Sequence, residues 1–158
     1  AVEKGVRQVL EGGAFAGFPL QDVRVTVYDG KYHAVDSKEI AFVSAGRKAF
    51  LEAIAKANPV VLEPIADVEI TAPSDSMGDV AGDLSSRRGR VSNTDSLAAG
   101  VVAISGQVSL AEMEDYQSKL KSMTGGEGDF AMHFNAYEPA PMDVQKRLSN
   151  AFQRPEEE

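Results

Sequence analysis

The chain after residue 62 alternates apolar and polar residues in three separate stretches, and this alternation limits the possible folds more than any other feature. Each of these stretches, near residues 67–71, 102–108 and 130–135, has the two-residue period of a strand with one buried face. A further strand, second in chain order, is predicted at about residues 90–94. Helical segments at about 76–86 and 111–121 separate the first strand from the second and the third from the fourth. The order βαββαβ predicts an α+β protein with a ferredoxin-like split βαβ domain, an antiparallel sheet with two helices on one face.

The sequence predicts fewer secondary-structure elements in the first part of the chain, before residue 62. Val2–Leu10 has helical periodicity without an N-cap, and Gly12–Gly13 supplies a stop. Val23–Val27 alternates over β-branched residues, which predicts a half-buried strand, and Asp29–Gly30 follows it as a turn.

A second helix is predicted to run to about Ala57. Asp36 and Glu39 have the spacing of a capping box at its start, and Asn58 before Pro59 closes it. The helix has an apolar stripe on one side and a face of small residues that would let a sheet approach closely. The stripe consists of Ile40, Val43, Phe50, Leu51 and Ile54, and the small face of Gly46, Ala49 and Ala53.

The segment Val60–Pro64 has the character of a junction, which divides the chain into domains at 1–62 and 63–158. One strand and two helices cannot close a core by themselves, so residues 1–62 are expected to be only part of a domain.

Charge is distributed unevenly between these parts. The chain has a formal net charge of −8, with eight Lys and Arg against seven Asp and Glu in residues 1–62, and eight against seventeen in residues 63–158. An acidic protein does not bind polyanions indiscriminately, so any contact with RNA should be made through a local patch.

Other classes of function find little support in the composition. The chain has no cysteine and two histidines, which argues against a disulfide framework and a structural metal site. It has no apolar run of membrane-spanning length, and a cytoplasmic protein without membrane partners is expected. The sequence also has no phosphate-binding Gly-x-x-x-x-Gly-Lys-Ser/Thr loop. Adjacent acids such as Glu114-Asp115 could suggest acid/base catalysis, but no nucleophile or histidine is placed by the sequence to work with them. We therefore predict no catalytic residues and no small-molecule substrate.

Five short motifs, in order along the chain, resemble the C-terminal part of elongation factor G, the GTP-driven ribosomal translocase. They are Tyr32-His-Ala-Val-Asp-Ser37, Val61-Leu-Glu-Pro-Ile65, Met77-Gly-Asp-Val-Ala-Gly-Asp-Leu-Ser-Ser-Arg-Arg-Gly89, Leu110-Ala-Glu-Met113 and Ser122-Met-Thr-Gly-Gly126. The resemblance implies that residues 1–62 are the second half of domain IV, a βαβ-type domain, and that residues 63–158 are the ferredoxin-like domain V. The chain would then be a fragment that needs no cofactor itself, while GTP and Mg²⁺ serve the intact factor. Its implied partner is the ribosome, including rRNA, tRNA and ribosomal proteins.

The resemblance also implies a role for the loop Lys31, Tyr32, His33 and Asp36, which corresponds to the tip of domain IV. In the family this tip reaches the decoding region of the small subunit. An imidazole there can stack on a base or bond a phosphate, and the neighbouring lysine and tyrosine add a cation and a ring. The alternative is an ordinary exposed loop histidine.

Two further groups are candidates for contact with the large subunit. Arg87, Arg88 and Arg90 form the densest basic cluster and could bind rRNA phosphates, although cations at a helix C-terminus also suit the helix dipole. The loop Thr124, Gly125 and Gly126 could face the ribosome, but a flexible helix-to-strand connection explains its glycines equally well.

The pair Glu114-Asp115 departs from the resemblance, because family members commonly have Phe-Gly there. This change leaves open a divergent paralogue specialised in ribosome recycling. A free-standing binding module remains a further alternative, since ferredoxin-like domains serve many roles. A small hydrolase on this scaffold lacks a catalytic set.

Overall fold

The computed structural model describes residues 1–35 and 37–152 and divides the chain into two compact units. The first unit combines Ala1–Val61 with the segment that starts at Ala140, and the second is Leu62–Pro139. The predicted boundary after residue 62 lies one residue beyond the change of unit. The helices are α1 (Val2–Gly12), α2 (Glu39–Lys56), α3 (Met77–Ser86), α4 (Tyr116–Met123) and α5 (Met142–Ala151). The strands are β1 (Leu62–Pro73), β2 (Arg90–Ala98), β3 (Val101–Ser109) and β4 (Asp129–Pro139).

The second unit has the predicted ferredoxin-like arrangement. Its four strands form one antiparallel sheet in the order β2-β3-β1-β4, and α3 and α4 follow β1 and β3 along the chain. One face of β1 and β3 packs against both helices in a core that includes Ile70, Val80, Leu84, Ile104, Tyr116 and Leu120. The alternating pattern of the sequence therefore predicted the correct fold.

The predicted helix at 111–121 is interrupted. Leu110–Met113 forms a 3₁₀ turn, and α4 begins only at Tyr116 because Asp115 adopts a left-handed conformation with φ 58°. Residues with positive φ do not continue an α-helix, so the backbone changes direction at this point. Asp115 is also where the family commonly has glycine, the residue best suited to this conformation.

The two helices at the start of the first unit have the predicted extents. α1 begins without a side-chain cap at Ala1 and ends at Gly12, followed by Gly13 with φ 82°, and α2 ends before Asn58 and Pro59. Residue Lys38 precedes α2 without a capping side chain, and the predicted cap, Asp36, lies outside the described residues.

The small residues of α2 serve a different contact from the one predicted. A Cβ at Gly46 would lie 2.8 Å from the backbone oxygen of Val2, and a Cβ at Gly5 would overlap the backbone oxygen of Val43. Glycines therefore bring α1 and α2 into backbone contact, whereas Ala49 and Ala53 are exposed. The predicted stripe is buried at Val43, Phe50 and Ile54, half-buried at Leu51 and exposed at Ile40.

The predicted strand Val23–Val27 is wrong. This segment has no regular secondary structure, and all three of its valines are exposed. A strand is stabilised by ladder hydrogen bonds and by burial of one face. Among the described residues the only sheet lies in the second unit, so the alternating pattern here has no neighbour to pair with.

Helix α5 was not predicted. Pro141 precedes its first turn and Asp143 lies within that turn, both favourable at a helix N-terminus. Gln145 holds the helix in the first unit, because its buried side-chain amide donates to the Ala140 oxygen (2.7 Å) and accepts from the Val61 N–H (3.1 Å). The composition of residues 154–158, Arg-Pro-Glu-Glu-Glu, predicts disorder, and this segment lies outside the described residues.

None of the helices in the described ranges has both the length and the apolar character that crossing a bilayer requires.

Candidate functional site

The tip loop, whose described residues are 31–35, is an exposed part of the first unit. Tyr32 is 72% exposed, and Lys31 and His33 are exposed as well. A reciprocal pair of hydrogen bonds fixes the backbone: the His33 N–H donates to Ser37 Oγ (2.8 Å), and the Ser37 N–H donates to the His33 oxygen (3.1 Å). The loop thus holds the backbone of His33 in a turn and leaves the imidazole in solvent, where it can stack or form hydrogen bonds. Asp36, the fourth predicted tip residue, lies outside the described residues.

Arg88 occupies an unusual backbone position at the end of α3. It has φ 61°, and the adjacent Gly89 N–H donates to the Leu84 oxygen (2.9 Å) while the Arg88 N–H donates to the Ser85 oxygen (3.1 Å). These two bonds form a Schellman motif, in which the residue at the position of Arg88 is usually glycine. An arginine in this position needs a compensating interaction.

Two carboxylates supply that interaction. The Arg88 guanidinium donates to both oxygens of Glu63 (2.9 and 3.0 Å) and to Glu112 Oε1 (3.0 Å from Nε). The Glu63 side chain is only 12% exposed and also accepts from Ser109 Oγ (3.0 Å). The Arg88 hydrogen bonds lower the pKa of Glu63 against the opposing effect of burial, and the same bonds raise the pKa of Arg88. We call Glu63, Arg88 and Glu112 the Arg88 triad.

Arg87 also bonds within its own unit. Its Nε donates to Asp83 (2.8 Å) and its Nη1 to the Glu112 backbone oxygen (2.6 Å), and its guanidinium lies 5.1 Å from the centre of the Tyr116 ring. Arg87 is the C-cap residue of α3, so the helix dipole favours its charge as well.

Arg90 is the most accessible of the three arginines. Its side chain is 63% exposed and contacts Glu138 at 3.2 Å and Gln107 at 3.3 Å. All three guanidinium groups of the predicted basic cluster therefore bind neighbouring carboxylates, and Arg90 does so at the longest distance and from the most exposed position. Contact with rRNA stays a prediction, and Arg90 is its most suitable member.

The loop after α4 is closed by its own hydrogen bonds. Thr124 is buried, and its hydroxyl donates to the Leu120 oxygen (2.7 Å) and accepts from the Gly128 N–H (2.7 Å). The Gly126 N–H donates to the Lys121 oxygen (2.8 Å), and Gly125 and Gly126 have φ 61° and 92°. Thr124 thus fixes the connection between α4 and β4, while the two glycines remain exposed.

These residues do not fit a nucleotide with its Mg²⁺. The amides of Gly126, Glu127 and Gly128 already donate within the loop, so they cannot cradle a phosphate. Among the described residues there is also no cluster of three or more His, Asp or Glu side chains suited to a metal ion.

Several important residues escaped the sequence analysis. Glu63 and Glu112 are separated from Arg88 by more than twenty residues, and no local pattern connects them. Asp83 was detectable, because it precedes Arg87 by four residues, the spacing of a helical ion pair.

Two known protein families match the chain in succession. The family "Elongation factor G, domain IV" matches residues 1–58, and "Elongation factor G C-terminus" matches residues 60–148. An elongation factor G-like protein of Thermotoga maritima is 45% identical over 148 residues, which cover 94% of this chain and 22% of that protein. An elongation factor G of Granulibacter bethesdensis is 49% identical over 148 residues, or 94% of this chain and 21% of that protein.

A solved structure is also similar to this chain over most of its length. The crystal structure of a Thermus thermophilus protein matches with a TM-score of 0.75 and 36% identity, over 94% of this chain and 22% of that one. The chain therefore spans about a fifth of the length of these relatives.

Proposed function

We propose that this chain, which belongs to the elongation factor G family, is the ribosome-contacting C-terminal portion of a factor that promotes GTP-dependent translocation of tRNA and mRNA. The observation that carries the proposal is the pair of family matches, which follow one another over residues 1–58 and 60–148. In this proposal the portion has no catalytic residues, and its contribution is to position the factor mechanically on the ribosome.

The tip loop supports a role at the small subunit. Its backbone is held by the His33–Ser37 pair while Lys31, Tyr32 and His33 are exposed together. A cation, a phenol ring and an imidazole are the groups that recognise phosphates and unstacked bases in RNA. In this proposal His33 contacts RNA in the decoding region as the tRNAs advance.

The second unit would anchor the factor at the large subunit. Its net charge opposes general attraction to rRNA, so the contact has to be local, through Arg90, with the exposed loop at Gly125 and Gly126 facing the ribosome. Arg87 and Arg88 would then have a structural role, because their hydrogen bonds fix the C-terminal end of α3. Ribosomal proteins are the other candidate partners of this unit.

GTP and Mg²⁺ would act in the intact factor at residues other than those described. Energy from the nucleotide would reach this portion through movement of the protein. The proposal also places the protein in the cytoplasm, because its partner is the ribosome.

The test compares His33→Ala with Gln8→Ala in the intact factor. Gln8 is an exposed polar residue of α1 and serves as the matched control. We expect both variants to bind 70S ribosomes, and only His33→Ala to slow single-round translocation. If the unmodified factor does not bind ribosomes, or if both variants translocate at the same rate, the proposed role of the tip is wrong.

A second candidate function is ribosome recycling. Glu114-Asp115 favours it, because two acids replace the family's usual apolar and small pair on the surface next to α4. An intact factor that binds ribosomes and splits them into subunits, but does not translocate, would support this alternative.

A further inference from the structure

The two edge strands of the sheet differ in how they are protected against pairing with another chain. β2 has two register shifts against β3, between Val91 and Asn93 and between Ser96 and Ala98, and such bulges discourage further pairing. β4 pairs with β1 in continuous register from Asp129 to Phe134, and its one register shift against β1 comes directly after Phe134. Residues 129–134 also contain no lysine, arginine or proline, the residues that commonly block strand edges. Among the described residues, the sheet has no strand on the other side of β4.

A cleft with exposed aromatic side chains lies beside this edge. The cleft has a volume of about 190 Å³, and Phe134, Met132, Leu110 and Ile65 are among the residues that line it. Phe134 is 63% exposed and Tyr137 53%, and their ring centres are 5.3 Å apart. Leu110 is 49% exposed at the same cleft. Exposed aromatic residues beside a pocket are typical anchors of protein interfaces.

The charge of this unit indicates the chemistry of the partner. Residues 62–139 contain thirteen Asp and Glu against five Lys and Arg, which gives a net charge of −8, while the rest of the chain has eleven of each. Three of the five cations are already paired with acids of the same unit. An approaching segment that carries Lys or Arg would be attracted, and an acidic segment or an RNA strand would be repelled.

We propose that the free edge of β4 and the adjacent cleft bind an extended basic peptide segment of another protein, which pairs with residues 129–134 as an additional strand. Main-chain hydrogen bonds to the edge supply affinity, an apolar side chain fills the cleft against Phe134, and Lys or Arg side chains meet the acidic unit. This inference does not depend on the tip loop or on translocation.

The test uses the full chain and a short peptide that alternates lysine with valine. A peptide of the same sequence with alternate amides N-methylated removes the strand-pairing donors but keeps composition and charge. A glutamate–valine peptide reverses the charge. Affinity is measured by fluorescence anisotropy, and the site is located by amide hydrogen exchange.

Phe134→Ala is the site variant, and Leu97→Ala is its control, because Leu97 is 58% exposed on the opposite edge strand. We expect the lysine–valine peptide to bind and to slow exchange in β4. Phe134→Ala should weaken binding about tenfold, and Leu97→Ala should leave it unchanged.

The proposal is overturned if the lysine–valine peptide does not bind or if the N-methylated peptide binds equally well. It is also overturned if protection maps to β2 or if Phe134→Ala has no effect on affinity. Self-association of the chain through β4 in the absence of peptide would show that the occupant is a second copy instead.

Discussion

Replacing Arg88 by alanine and, separately, by glycine should divide its effect on stability into a side-chain part and a backbone part. Both substitutions remove the ion pairs with Glu63 and Glu112. Breaking a buried pair costs about 3–5 kcal/mol, whereas exposed pairs contribute about 0–1 kcal/mol. Arg88 is 34% exposed and Glu63 12%, so the pair lies between these limits. We expect Arg88→Ala to lower the free energy of unfolding by about 2 kcal/mol.

The glycine variant should be the more stable of the two. Arg88 has φ 61°, a conformation that glycine adopts freely and alanine does not. Arg88→Gly should therefore cost about 1 kcal/mol less than Arg88→Ala. Arg90→Ala is the matched control, because Arg90 is mostly exposed and should change stability by less than about 0.5 kcal/mol.

The stability that the Arg88–Glu63 pair provides should depend on pH. Arg88 lowers the pKa of Glu63 from 4.5, so the folded state binds fewer protons than the unfolded state near this pH. The stability that the pair provides is therefore present above pH 4.5 and is lost as the pH falls through the lowered pKa. The penalty of Arg88→Ala should be smaller at about pH 3 than at about pH 7.

The assay is urea unfolding combined with amide exchange in β1, since the two units can unfold separately. Equal stability of the alanine and glycine variants would refute the backbone argument. A penalty for Arg88→Ala that does not change between neutral and acidic pH would refute the role of the ion pair.

Three further substitutions test other parts of the fold. Gly5→Ala should lower the free energy of unfolding by about 3 kcal/mol, because the new Cβ overlaps the backbone of α2, while Gly12→Ala, which meets open space, should stay within about 1 kcal/mol in a thermal melt. Asp115→Gly should raise stability by about 1 kcal/mol in urea unfolding by removing the strain of φ 58°, and a loss would show that the Asp115 side chain is needed. Tyr116→Phe should stabilise by about 1 kcal/mol at neutral pH, because the Tyr116 hydroxyl is buried without a hydrogen-bond partner among the described residues. Burial raises the pKa of Tyr116 to about 12, so the unmodified protein should lose stability between pH 10 and pH 12, and a phenylalanine variant with the same loss would contradict this cause.

The sheet was predictable because its strands carry their own pattern. β1 and β3 bury the apolar members of their alternating pattern, whereas β4 follows the same pattern and leaves Phe134 exposed. Val23–Val27 alternates as well, yet it forms no strand, because pairing depends on a distant neighbour that a local pattern does not contain.

The candidate site was predictable to a smaller extent. The tip loop is found as a motif, and its exposure agrees with the expectation for a loop. The bonding of Arg88 was not predictable, since its carboxylate partners come from β1 and from the turn before α4, and their approach depends on the completed fold. The left-handed conformation of Asp115 likewise shows no signal in the residue itself.

Gln145 bonds to two residues that are far apart in sequence, Val61 and Ala140, and this has a consequence for the entropy of folding. Val61 and Ala140 lie on either side of the whole second unit, and the Ala140 N–H donates to the Val61 oxygen at 2.9 Å. A flexible chain would lose considerable entropy in bringing these two residues together. Once the second unit has folded, pairing of Leu62 with Pro139 has already closed that loop. The folded second unit therefore holds Ala140 beside Val61, so the chain loses little further entropy when α5 packs into the first unit.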